Sequence, residues 1–93
     1  MRMSLNAGFL NIDEERVVLD LQEAGGNLDC SQGETVLDFS SVRQIDSSAL
    51  QAMLDFARIA DEKAIKIVLR GVNIDVYKVL KLAKLAHRFS FVN

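Results

Sequence analysis

Thr35-Val36-Leu37-Asp38-Phe39-Ser40-Ser41-Val42-Arg43-Gln44-Ile45-Asp46-Ser47-Ser48-Ala49-Leu50 runs from a strand, through a short polar connection, into the start of a helix. Thr35 to Phe39 is rich in the β-branched and aromatic types that fit a pleated surface. Asp46, Ser47 and Ser48 all carry a short side-chain oxygen able to accept from the unpaired N–H groups of a first helical turn. Taken alone, Asp-Ser-Ser says only that a helix is well capped. From about Ser47 to Lys63 the apolar residues recur with helical period, and Ile65 to Leu69 reads as the next strand. Strand, helix and strand form a β-α-β unit, an arrangement that places its two strands side by side and parallel.

Outward from that unit the signals weaken. Gly8 to Ile12 and Arg16 to Gln22 read as two short strands joined by the polar turn Asp13-Glu14-Glu15. Phe89 to Val92 makes a short fifth strand, and a second helix runs from about Asn73 to Ala86. In the supposed strand 16–22, Val17, Leu19 and Leu21 share one face and Val18, Asp20 and Gln22 the other. Asp20, Asp38, Lys66 and Arg70 all fall on the second face of the sheet, whereas a sheet covered on both sides reads as continuous apolar runs. The expected fold is α/β: a mixed sheet of four to five strands with helices on one face only.

Composition bounds the function. Ninety-three residues, 49% of them apolar and 26% charged, suffice for one domain spanning 1–93 and no second. Eleven Lys and Arg against thirteen Asp and Glu leave a net charge of −2, which speaks against a general nucleic-acid binder. One cysteine, Cys30, and one histidine, His87, leave little for nucleophilic or metal chemistry, and no phosphate-cradling glycine motif occurs. The expectation is a chain without catalysis, cofactor or metal. Residues 1–6 lack an apolar targeting run, and no stretch is long and apolar enough to span a bilayer. A cytoplasmic location with no membrane insertion follows as an expectation.

Val36-Leu37-Asp38-Phe39-Ser40-Ser41-Val42, followed three residues later by Asp46-Ser47-Ser48-Ala49-Leu50, resembles the STAS family, the domain of bacterial anti-sigma factor antagonists. The likeness extends through Lys66-Ile67-Val68-Leu69-Arg70-Gly71-Val72 and the final helix, covering roughly residues 16 to 92. It implies a phospho-switchable protein-binding module in transcriptional signal transduction. Ser47 would take phosphate from a partner anti-sigma factor that is also a serine kinase. The binding surface would comprise Asp46, Ser47, Ser48, Ala49 and Leu50. Two departures stand out. Ala49 replaces the family's glycine. Gly26-Asn27-Leu28-Asp29 resembles the family's G-x-L-D segment, yet only Cys30, Ser31, Gln32 and Gly33 remain before Glu34 and the next strand, so the first family helix is expected to be truncated or missing. Asp29 is a further candidate for partner contact. Stand-alone STAS domains also serve as small subunits of membrane ABC transporters, including phospholipid-trafficking systems, where the partner is the ATPase subunit. The resemblance accommodates either partner, and a homodimer besides.

On helix 47–63 the polar stripe Gln51, Asp55, Arg58 and Glu62 is narrow, and the apolar arc is about twice the ~100° a single packing surface needs. Burial against both sheet and second helix explains the excess; so does a docking patch along Leu50-Leu54 or Ala52-Ile59. Charge is divided along the chain. Residues 1–62 hold four arginines and twelve acids, a balance of −8, and residues 63–93 hold seven basic residues and one acid, a balance of +6. Lys78, Lys81, Lys84 and Arg88 gather with Tyr77 on one side of the second helix. That side reads either as a solvated face or as a surface for an acidic protein or an anionic membrane.

Overall fold

The computed structural model describes residues 9–28 and 33–92. Strand β1 (Phe9–Asn11) leads through a 3-10 turn (Glu14–Arg16) into helix α1 (Val17–Gly26). Strand β2 (Glu34–Asp38), helix α2 (Ser47–Glu62), strand β3 (Lys66–Arg70) and helix α3 (Ile74–Leu82) follow. A second 3-10 turn (Ala86–Arg88) precedes strand β4 (Ser90–Val92). The strands at 8–12, 35–39, 65–69 and 89–92 and both helices are found where expected, within a few residues at each end.

The segment 16–22 is the exception, for it is helical. Asp13 caps the preceding turn by accepting from the Glu15 N–H. Val17, Leu21 and Ala24 then lie buried at i, i+4 and i+7, with Gly25 beside them. Leu19, which an alternating strand would bury alongside Val17 and Leu21, is 53% exposed. Two β-branched residues at 17–18 and three apolar residues at alternate positions imitate a strand. The helical period shows only when the window reaches Ala24 and Leu28. A helix of ten residues, ending at Gly26, is therefore present in the first part of the chain, where the expectation was that the first helix is truncated or missing.

This helix also changes the sheet. With α1 as a crossover instead of a hairpin turn, β1 joins β2 in parallel, and the expected mixed sheet is parallel in all its described pairs. The strand order β1-β2-β3-β4 repeats the order of the chain. Thr35 pairs with Ile67, and Leu10, Leu37, Leu69 and Phe91 share one register row. Leu37, Ile67 and Leu69 meet Leu21 and Ala24 of α1, Met53, Phe56 and Ala57 of α2, and Val76 and Leu80 of α3 in one core. The opposite face pairs Glu34 with Lys66 and Asp38 with Arg70 across β2 and β3, around a half-buried Val36 and a buried Val68 that lies outside this core. Helices thus cover one face.

The broad apolar arc of α2 has its explanation in α1. Ala49, Ala52, Met53, Phe56, Ala57 and Ala60 are buried, and Leu50, Leu54 and Ile59 pack partly buried against the core. A Cβ at Gly25 would stand 3.1 Å from Ile59 Cδ1 and 3.6 Å from Phe56 Cδ1, so a bare backbone lets α1 lie close on α2. No described helix is long and apolar enough to cross a membrane.

Candidate functional site

Asp46 adopts an extended backbone (φ −98°, ψ −175°) and its carboxylate accepts from the Ala49 N–H at 2.8 Å. The cap is thus supplied by Asp46, and Ser47 and Ser48 are the first two residues of the helix proper. Both are exposed. The Ser47 hydroxyl has no hydrogen-bond partner among the described residues. Ala49 turns inward and is 4% exposed, while Leu50 is half-buried against the core. The five residues singled out at 46–50 therefore divide into a capping carboxylate, two exposed hydroxyls and two apolar residues facing inward. Asp29 lies outside the described residues.

Removing the cap should register directly. Asp46→Ala is expected to lose about 1 kcal/mol, a drop of roughly 4–8 °C in the thermal midpoint, because an N–H of the first turn loses its acceptor. Ser47→Ala should change stability by less than about 0.5 kcal/mol, as for other exposed sites without such a role. Equal losses in the two variants, measured by circular dichroism melts, would show that Ser47 shares the capping.

The loop that delivers Asp46 and Ser47 is held from three sides. At its start, Asp38 accepts from the Ser40 N–H at 2.9 Å. At its middle, Glu14 Oε1 accepts from the Arg43 N–H. From the other flank, Asn73 donates to the Arg43 carbonyl at 2.9 Å and the Val42 carbonyl at 3.4 Å, while its Oδ1 caps α3 by accepting from the Val76 N–H. Gly71 closes the arrangement. Its φ of +71° suits glycine, and a Cβ there would stand 2.9 Å from Ser40 Cβ. Sequence reasoning named Glu14 in a turn, Gly71 within the family likeness and Asn73 at a helix start, but placed none of them at this site. Asn73 is visible as a cap-type residue before an apolar run, but its second role depends on a loop thirty residues away.

Hydrogen bonds from the Ser40 hydroxyl and the Ser40 backbone N–H, with Arg70 nearby, hold the Asp38 carboxyl below its usual range, outweighing the opposing effect of burial. A lowered folded-state pKa contributes stability at neutral pH, above the unfolded value, and that contribution is lost as pH falls through the folded value. Ser40→Ala should be less stable than the native chain at about pH 7. The gap should close as pH falls towards about 2, read as urea midpoints across the series. A gap that persists in acid would assign the loss to packing instead.

Beside the cap lies an open groove of about 540 Å³ between the start of α1 and the start of α2. Val18, Leu19 and Ile45 supply its apolar surface, and Glu14, Glu15 and Asp46 an acidic rim. Exposed hydroxyls, an acidic rim and a partly apolar floor suit a protein partner better than a small molecule, which a deeper enclosure would hold.

The comparisons agree with this architecture. The family model described as Mlab, STAS domain matches residues 14–92. A solved structure of a candidate anti-sigma factor antagonist from Thermotoga maritima superposes with a TM-score of 0.69 at 20% identity, over 90% of this chain and 73% of that one. At that identity the likeness speaks for the fold. No curated protein matches the chain in sequence. A parallel sheet covered by helices on one face, a helix opening on Asp-Ser-Ser, and a family match across almost all of the described residues lead to one assignment: the chain belongs to the Mlab, STAS-domain family.

Proposed function

We propose that this chain is a non-enzymatic protein-binding module whose docking surface is the start of α2, switched by phosphorylation of Ser47. The observation that supports the switch is the division of labour at the helix start. Asp46 holds the cap, so the Ser47 hydroxyl has no structural task and stands exposed. Phosphate there adds about −1.5 to −2 charges near neutral pH. A helix N-terminus tolerates that charge through its dipole and free N–H groups, so the fold survives modification. A partner packed over Ser47 would instead have to desolvate a dianion beside the carboxylate of Asp46 and the acids of the groove rim. Binding therefore fails while the domain stays folded. The partner is an anti-sigma factor with serine kinase activity, in the manner of the antagonists this fold resembles.

The test is to capture the partner from the native cell, incubate it with the chain and ATP, and locate phosphate by mass spectrometry. One phosphate on Ser47, with release of the complex, is expected. Phosphate on another residue, or none with a partner that binds at α2, would end the switch reading. Two observations support a second reading, in which the partner is the ATPase subunit of a membrane ABC transporter and no phosphate cycle operates. Ala49 stands where the antagonist signature has glycine, and the matching family model is the Mlab one. Under that reading the captured partner is a nucleotide-binding subunit and Ser47 remains unmodified in the complex.

A further inference from the structure

Because strand order repeats chain order, the division of charge along the sequence becomes a division in space. Described residues 9–62 hold three arginines and eleven acids, a balance of −8, carried by β1, α1, β2, α2 and the segments between them. Residues 63–92 hold seven basic residues and one acid, a balance of +6; apart from Lys63, whose ammonium donates to the Leu28 carbonyl after α1, the basic residues belong to β3, α3 and the segment leading into β4. The molecule measures 37 × 25 × 23 Å. Each dimension exceeds the ~10 Å over which charges are screened at ~0.1 M salt, so the two ends act separately.

Each end also carries exposed apolar surface. On the basic end, Ile74, Lys78, Lys81 and Leu82 fall on the outward ridge of α3, with Ile74 68% and Leu82 84% exposed. Beside Ile74 opens a cleft of about 320 Å³ whose lining is apolar and aromatic: Val72, Ile74, Tyr77, Phe91 and Val92. Tyr77 and Phe91 meet edge to face at 5.1 Å and shape it. On the acidic end, α1 presents Leu19, 53% exposed, with Glu15 and Glu23 four residues to either side. An exposed leucine at the groove's edge between two glutamates is the complement of an apolar cleft beside Lys78 and Lys81.

We infer that copies of this chain associate head to tail, Leu19 and the acidic face of α1 of one copy seating in the Tyr77–Phe91 cleft and lysine ridge of the next. Such a contact joins two different surfaces, so it repeats into open chains or rings instead of stopping at a symmetric dimer. It is driven by opposite charge and weakens with salt.

Sedimentation of the full chain over a concentration series tests this. At ~0.02 M salt the average mass should rise with concentration above the 10.3 kDa monomer, and at ~0.5 M salt it should return to it. Glu15, Glu23, Lys78 and Lys81 are exposed, and their side chains form no hydrogen bond or ion pair among the described residues. Their reversal should leave each variant folded, with the midpoint lowered modestly because Glu15 and Lys81 lose favourable places beside a helix end. E15K/E23K alone and K78E/K81E alone should each be monomeric at low salt, and an equimolar mixture of the two should associate, since each restores the complement of the other. A native chain that stays monomeric at low salt, or a mixture that stays monomeric, overturns the inference. So does association that persists in either variant alone. Monomers that bind phosphatidylglycerol vesicles through Lys78 and Lys81 would overturn it in favour of a membrane surface.

Discussion

Phe56→Ala is expected to lower the thermal midpoint by roughly 15–30 °C, the largest stability effect of any single truncation considered for this chain. Phe56 is 1% exposed and sits where α2 faces both the sheet and α1, close to the bare backbone of Gly25. Truncating a buried phenylalanine costs about 3–5 kcal/mol, because the transfer free energy is lost and the cavity refills only in part. A chain of this length has about 5–15 kcal/mol of stability in total, and each kcal/mol moves the midpoint of so small a domain by ~4–8 °C. The site sharpens the expectation. Gly25 has no side chain with which to fill the space, and the three alanines at 52, 57 and 60 are too short to reach across. Circular dichroism melts of the two proteins decide the matter. A fall of under ~5 °C would mean that α1 settles into the gap, and that its packing on α2 is looser than described.

Ser47→Asp is expected to weaken partner binding by at least ~100-fold while leaving the domain folded, its thermal midpoint unchanged or raised by up to ~8 °C. A buried charge left unpaired at an interface costs about 2–5 kcal/mol, and a factor of one hundred corresponds to ~2.7 kcal/mol. Within the free domain the same carboxylate stands in solvent at a helix N-terminus, where an anion is worth about 0.3–1 kcal/mol in favour of folding. The two effects oppose each other, which separates a functional serine from a structural one. Ser48→Asp, one position further along, controls for the effect of charge at the helix start on the thermal midpoint. The measurement is isothermal titration with the captured partner, alongside thermal melts of each variant. Binding that survives Ser47→Asp unchanged would remove Ser47 from the interface. A large fall in the midpoint would make it a structural residue.

How much of this was legible beforehand depended on the range of the interaction that fixes each element. The β-α-β unit from Thr35 to Arg70 was readable because its signals are local: β-branched residues in the strands, a cap-type cluster, then sixteen residues of helical period. The position of Ser47 on the first turn followed from the same signals, and so did the one-sided sheet, from charged residues at alternate places along β2 and β3. Where local signals conflict, they misled. Val17-Val18-Leu19 has the character of a strand, and what makes it a helix is burial of Val17, Leu21 and Ala24 against α2, a gain available only once α2 is in place. The parallel direction of β1 followed from that helix.

The amino-acid sequence by itself determined the central unit, the cluster of cap-type residues at the start of α2, and the division of charge between the two halves of the chain. Tertiary structure alone decided that α1 covers the wide face of α2, that Asp46 takes the cap and leaves Ser47 free, and that Asn73, Glu14 and Gly71 hold the loop from distant parts of the chain. The physical reason is the same in each case. Capping types and hydrophobic period act within a turn or two, but they do not say which of several competent side chains makes a contact: the loop geometry chooses Asp46 over Ser47, and the contacts of Glu14, Gly71 and Asn73 need backbone brought together across about thirty residues.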